Sequence, residues 1–206
     1  MFVLTIDQAA SRTSPDRIPE LLALLRPVQA VLPWERSVGD EAQGVLADPA
    51  DVVDAVLLCL RAGGWYVGIG VGVVEEPFPS SPREGRGSAF VAARRAVDRA
   101  KKTGDRAPLA VEGPGGHADV AAEAEGVLAL LGRHVMGRSE AEWRILDLLQ
   151  PGERGTQTVV ARSLGISPQA VSKAAARAAW HEERTVRQAV ARLLAWADRP
   201  DGVLTH

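Results

Sequence analysis

The chain has 206 residues, 46% hydrophobic and 24% charged, with a formal net charge of −2. That balance excludes a disordered polymer and a polycation that coats nucleic acid indiscriminately, and it accommodates one ordinary domain plus a small second one. The single cysteine excludes an intramolecular disulfide, and Arg61 stops the apolar run from Val56 to Leu60 well short of a membrane span.

The N-terminus, Met-Phe-Val-Leu-Thr-Ile-Asp, lacks the basic start and long apolar core of a signal peptide, so a cytoplasmic protein is expected. Phe2 to Ile6 reads as a short strand ending in Asp7, and 18–32 as a helix with Leu21, Leu22, Leu24 and Leu25 inward. Residues 36–47 read as a hairpin, with a tight turn at Gly39-Asp40 and a return strand through Val45-Leu46. Pro49 opens a helix from Asp51 to Ala62, where Cys59 sits among aliphatic residues as a buried thiol.

Trp65 to Val74 alternates strictly. Trp65, Val67, Ile69, Val71 and Val73 share one face, and Gly68, Gly70 and Gly72 share the other. Glycines spaced this way inside a strand match no phosphate loop, which must lie at a strand-to-helix turn; they let another element approach the backbone closely. Residues 77–87 read as a loop, 88–102 as a helix, 104–117 as irregular, and 120–131 as a further helix.

A domain boundary is expected at 132, giving domains 1–132 and 133–206. Ser139 caps the next helix, with Trp143, Leu146 and Leu149 at helical spacing and Pro151-Gly152 ending it. Residues 156–173 then read as a helix-turn-helix. Val160, Ala161 and Leu164 form the apolar face of its first helix, Gly165 supplies the left-handed turn, and Ile166 plugs it from below. Ser167-Pro168 opens the second helix and Val171 points inward, which leaves Gln169, Ser172, Lys173 and Arg177 for a DNA major groove, with Thr156 and Ser167 beside them. The segment 184–196 is a last amphipathic helix.

Charge is distributed unevenly. Residues 1–132 hold 13 Lys/Arg against 18 Asp/Glu, whereas residues 133–206 hold 11 against 8. The basic excess travels with the helix-turn-helix, but it is small for a DNA-binding unit, so a homodimer reading two half-sites is expected. Among chemistry-bearing groups, Asp7 and Asp40 with Glu41 are the one constellation of interest. Paired carboxylates hold Mg²⁺ against a nucleotide, although acids at strand ends are more often solvated turn residues. Ser11 and Arg12 are placed to take a phosphate at the start of a helix. The four histidines show no metal-ligand spacing.

The order of Phe2-to-Asp7, Ser-Val-Gly-Asp-Glu-Ala-Gln43, a helix, the glycine-striped strand and the helix ending Asp98-Arg-Ala-Lys-Lys-Thr-Gly-Asp-Arg106 resembles the GGDEF and class III nucleotide-cyclase fold. That resemblance implies an α+β protein: a ferredoxin-like, cyclase-like α/β sandwich followed by an all-helical helix-turn-helix domain. It also implies Asp7 and Asp40 at metal positions, Gly39 and Glu41 at the nucleotide, and Lys101 near the phosphates. With Arg86-Gly-Ser-Ala-Phe90 and the helix-turn-helix included, the whole chain resembles the SatD family of bacterial DNA-binding regulators. Val38 stands where the GGDEF signature has its first glycine, and Ala42 where it has phenylalanine, which argues against turnover.

The expected function is therefore a transcriptional regulator that reads double-stranded DNA and carries a sensing or dimerisation domain, with a nucleotide effector. The alternatives are a Mg²⁺-dependent nucleotide-binding or nucleotidyl-transfer enzyme and a protein-interaction scaffold.

Overall fold

A computed structural model describes residues 1–150 and 155–199. Its centre is a sheet of β1 (Phe2–Gln8), β2 (Leu32–Arg36), β3 (Glu41–Leu46), β4 (Trp65–Val71) and β5 (Leu109–Glu112), in the order β2-β3-β1-β4-β5. The first four strands pair antiparallel; β5 joins β4 in parallel. Eight α-helices are present among the described residues: α1 (Ile18–Leu25), α2 (Pro49–Ala62), α3 (Ser88–Ala100), α4 (Ala118–Met136), α5 (Glu140–Leu146), α6 (Thr156–Leu164), α7 (Pro168–Arg177) and α8 (Trp180–Ala197). The protein is thus a mixed α+β fold, and no helix among the described residues is long and apolar enough to cross a membrane.

The two faces of the sheet are covered differently. On the first, Leu4, Ile6, Leu46, Val67, Ile69 and Leu109 join side chains of α1, α2 and α4 in one core. Each such aliphatic side chain contributes roughly 1.5–3 kcal/mol when removed from water. On the second face lies α3, seated on the glycine row: a Cβ on Gly68 would fall 2.2 Å from Val97 N, and one on Gly70 2.1 Å from Ala89 O. The stripe thus lets helix backbone meet strand backbone.

Several bounds differ from those expected. α1 ends at Leu25 because Pro27 cannot continue it, and β2 begins at Leu32. β4 stops at Val71; Gly72 turns away with φ +154° and Val73 is left exposed. The stretch read as irregular contains β5. Residue 132 lies within α4, where a Cβ on Gly132 would meet Leu60 Cδ1 at 2.5 Å, so this glycine admits α2 instead of ending a helix.

The C-terminal helices form a second small core of Ile145, Leu146, Leu149, Val160, Ala161, Val171, Ala174 and Ala175. Ser139 caps α5 in a reciprocal capping box with Glu142. The expected helix end at Pro151-Gly152 lies outside the described residues. α8 starts at Trp180, before the expected Arg184, and returns to the first core through Val190, Leu194 and Ala197. A buried ion pair of Arg138 with Glu183, extended by Arg187 to Glu183, fixes the start of α8.

Candidate functional site

Two places gather the residues singled out above: the α6–α7 pair, and the β1 end of the sheet. In the first, Gly165 is left-handed (φ 66°, ψ 31°), and Ile166 N donates to Ala161 O at 3.0 Å, closing α6 in a Schellman-type turn. Ser167 Oγ accepts from Ala170 N at 3.1 Å, and Pro168 occupies the first turn of α7. Val171 is fully buried. Gln169, Ser172, Lys173 and Arg177 are all exposed on the opposite side.

The residues differ in availability. Lys173 makes no ion pair among the described residues. Arg177 Nε donates to Glu142 Oε1 at 3.3 Å, so part of its charge is committed to α5. The Ser167 hydroxyl is spent on the helix cap. Thr156 begins α6 half-buried and engaged with a neighbour. Ile166 is no buried plug: it is 38% exposed beside Ser167.

Sequence reasoning missed what holds α7 in place. The carbonyl of Ala178, just past α7, accepts from Arg138 Nη2 at 2.6 Å and lies 2.7 Å from His134 Nε2. Next to it, Ala179 takes the left-handed conformation with φ 44°. A histidine without metal-ligand neighbours had offered no signal, and Arg138 lay beside the expected domain boundary.

At the β1 end, Asp7 pairs across strands with Glu41 on β3 and Tyr66 on β4. Asp40 contributes its backbone, whose carbonyl accepts from Gln8 N at 3.1 Å. Gly39 has φ +59° and its carbonyl accepts from Arg36 Nη1 at 2.7 Å; Arg36 also pairs with Asp16, tying the hairpin tip to the loop before α1. Lys101, capping α3, places Nζ 2.7 Å from Asp7 Oδ2.

Burial raises the Asp7 pKa above its ordinary value, helped by the charges of Asp40 and Asp98 and opposed by Lys101. Burial likewise raises Glu41, with Ser37 and Arg94 opposing. For Lys101, burial alone would lower the pKa, but Asp7, Asp98 and Glu41 carry it upward. The cluster is thus two partly desolvated carboxylates with an ammonium already between strand and helix.

That arrangement does not suit a resident Mg²⁺, which requires an octahedral shell of oxygens. Among the described residues no three His, Cys, Asp or Glu are grouped to hold a metal, and the Asp7 carboxylate is already paired with Lys101. Ser11 and Arg12 are not at a helix start. They lie in a turn whose Thr13 and Ser14 amides donate to Ala10 O, and α1 begins only at Ile18. Cys59 is buried in the main core, and burial pushes its thiol pKa far up, which removes it as a nucleophile.

No family model, curated protein or solved structure matches the chain.

Proposed function

We propose that this chain is a DNA-binding regulator in which α6 and α7 act as a helix-turn-helix, α7 entering the major groove. One observation carries the reading: the exposed row of Gln169, Ser172 and Lys173 on a helix capped at its start and clamped at its end. An amide, a hydroxyl and an ammonium on one helix face are a set that meets base edges and phosphates. Because Arg177 is shared with Glu142, one copy offers little positive charge, which favours a homodimer on two half-sites.

The strand order β2-β3-β1-β4 with α1 and α2 as crossovers supports the cyclase-like, ferredoxin-like reading of the N-terminal part, and with it the SatD resemblance. A sensing or dimerisation role follows better than catalysis, since Lys101 holds the Asp7 carboxylate. The Mg²⁺-dependent nucleotide reading would require Lys101 to move aside; nucleotide binding that needs Mg²⁺ and is abolished by Asp7→Asn would restore it.

Fluorescence anisotropy with labelled duplexes selected from a random pool, at two salt concentrations, tests the regulator reading. Lys173→Ala is expected to weaken binding across sequences and reduce the salt slope by about 1. Gln169→Ala is expected to cost about 1–3 kcal/mol at one base position. Unchanged affinity and salt slope in both variants overturns the reading.

A further inference from the structure

We propose that the open cleft between the β2–β3 hairpin and α3 binds a small organic phosphate, a phosphate ester with an aromatic or aliphatic body. The cleft adjoins the Asp7–Glu41–Lys101 cluster, on which its Arg94 and Asp98 act through space, but none of those three residues lines it, and the inference stands whether or not α7 meets DNA. Its volume is about 700 Å³, within the range of sites for small molecules.

Three guanidinium groups line it, Arg83, Arg94 and Arg95, against a single carboxylate, Asp98. This concentration of positive charge lies within residues 1–132, where acids outnumber bases 18 to 13. The guanidinium groups of Arg83 and Arg95 have no hydrogen-bond or ion-pair partner among the described residues; Arg83 is bonded only through its backbone N–H. Arg94 acts on Glu41 through space. Guanidinium groups that outnumber the carboxylates beside them favour an anion between them, and guanidinium matches phosphate with two parallel hydrogen bonds.

The rest of the cleft is built in two parts. One wall is apolar: the Phe90 ring sits so close to Gly85 that a Cβ there would lie 2.1 Å from Phe90 Cζ, and Val91 and Val38 are 55% and 71% exposed beside it. Phe90, Val91, Arg94, Arg95 and Asp98 fall on one side of α3 by helical spacing, so the wall continues into the cationic group.

The floor is polar. Farther along the same sheet face, Val3 and Val45 are fully buried under α3, yet here the pattern turns to Thr5, Gln43 and Ser37, with Gln43 and Ser37 only 6% and 7% exposed. Gln43 Nε2 donates to Thr5 Oγ1 at 3.0 Å, which holds the floor in place. Buried polar groups at the base of a cleft, an apolar side wall and converging arginines together fit an amphipathic anion.

Isothermal titration calorimetry on the full chain tests this with a purine nucleoside monophosphate, its parent nucleoside and inorganic phosphate. The monophosphate is expected to bind more tightly than either of the other two. Arg83→Gln combined with Arg95→Gln is expected to raise its Kd about tenfold, each guanidinium supplying about half of that free energy in an open, solvent-screened cleft. Should the double variant melt lower than the parent, each single substitution serves instead, with about a threefold rise expected.

Any of four results overturns the inference: no heat from the monophosphate at millimolar concentration, nucleoside binding as tight as the monophosphate, an unchanged Kd in the arginine variants, or a Kd that responds to Lys101→Gln and not to them. Loss of duplex affinity in the arginine variants, with no monophosphate bound, would assign the cleft to nucleic acid and overturn it equally.

Discussion

Replacing Gly70 with alanine asks whether the glycine stripe exists to admit α3. Gly70 pairs with Val3 on β1 and with Glu112 on β5, so it cannot slide along the sheet. A methyl group there would stand 2.1 Å from Ala89 O and 2.2 Å from Ala93 N, both of them helix backbone. An ordinary contact of about 3.5 Å would require α3 to lift by roughly 1.4 Å. Overpacking of this kind costs up to about 3 kcal/mol, and loss of the glycine's freedom in the unfolded chain returns at most about 1 kcal/mol.

The net loss of about 2 kcal/mol corresponds to a fall of about 4–8 °C in melting temperature for a chain of this size. Gly126→Ala is the control. It lies exposed inside α4 with nothing within 4 Å of an added Cβ, and it should gain up to about 1 kcal/mol from helix propensity. Thermal melts followed by circular dichroism should therefore move in opposite directions. A Gly70→Ala protein melting at or above the parent would refute the close-approach argument.

Other outcomes follow from the joints between elements. Arg138→Met leaves Glu183 paired with Arg187 alone among the described residues and takes a donor from the Ala178 carbonyl, and should cost about 2–3 kcal/mol in urea unfolding, more than a surface pair. Burial alone would raise the Glu183 pKa, but Arg138 and Arg187 overcome it and hold it below the ordinary 4.5. Its ionisation thus contributes stability above that value, lost as pH falls through the lowered one; Glu183→Gln should narrow the gap to the parent progressively in acid. Asp7 and Glu41 have the opposite sign. Their raised pKa values favour the fold below the ordinary 3.8 and 4.5, an effect lost as pH rises through the folded values, and Asp7→Asn with Glu41→Gln should remove that slope from the stability profile. Arg61→Ala removes a two-bond pair with Asp147 and stacking 4.0 Å from the Trp143 ring, and should speed hydrogen exchange in α5 with a global loss of about 1 kcal/mol.

Much of the fold was legible where local chemistry is decisive. A short apolar run marked β1, alternation marked β4, Pro49 marked the start of α2, and Gly165 with Ser167-Pro168 marked the turn between α6 and α7. β5 was hidden because its four residues, Leu-Ala-Val-Glu, lie between Pro108 and Gly113-Pro114, too few to display a period. Gly132 was misleading for a different reason: its purpose is the Leu60 side chain across the interface, and no local pattern reports a distant partner. The same holds for the sites. Exposure of Gln169, Ser172 and Lys173 follows from helical spacing, whereas the Lys101–Asp7 pair, the Ala178 clamp and the arginine cleft depend on which surfaces meet in three dimensions.

α4 extends over 19 residues, about 28 Å of unbroken helix, from beside β5 to the histidine that meets the last carbonyl of the α7 turn. The two ends of the molecule are therefore joined by a strut and not by a hinge. An unbroken helical path thus runs from the sheet to the Ala178 carbonyl behind α7. Were two copies to associate through their sheets, the span between their outward-facing α7 helices would be set by the length and angle of this rod.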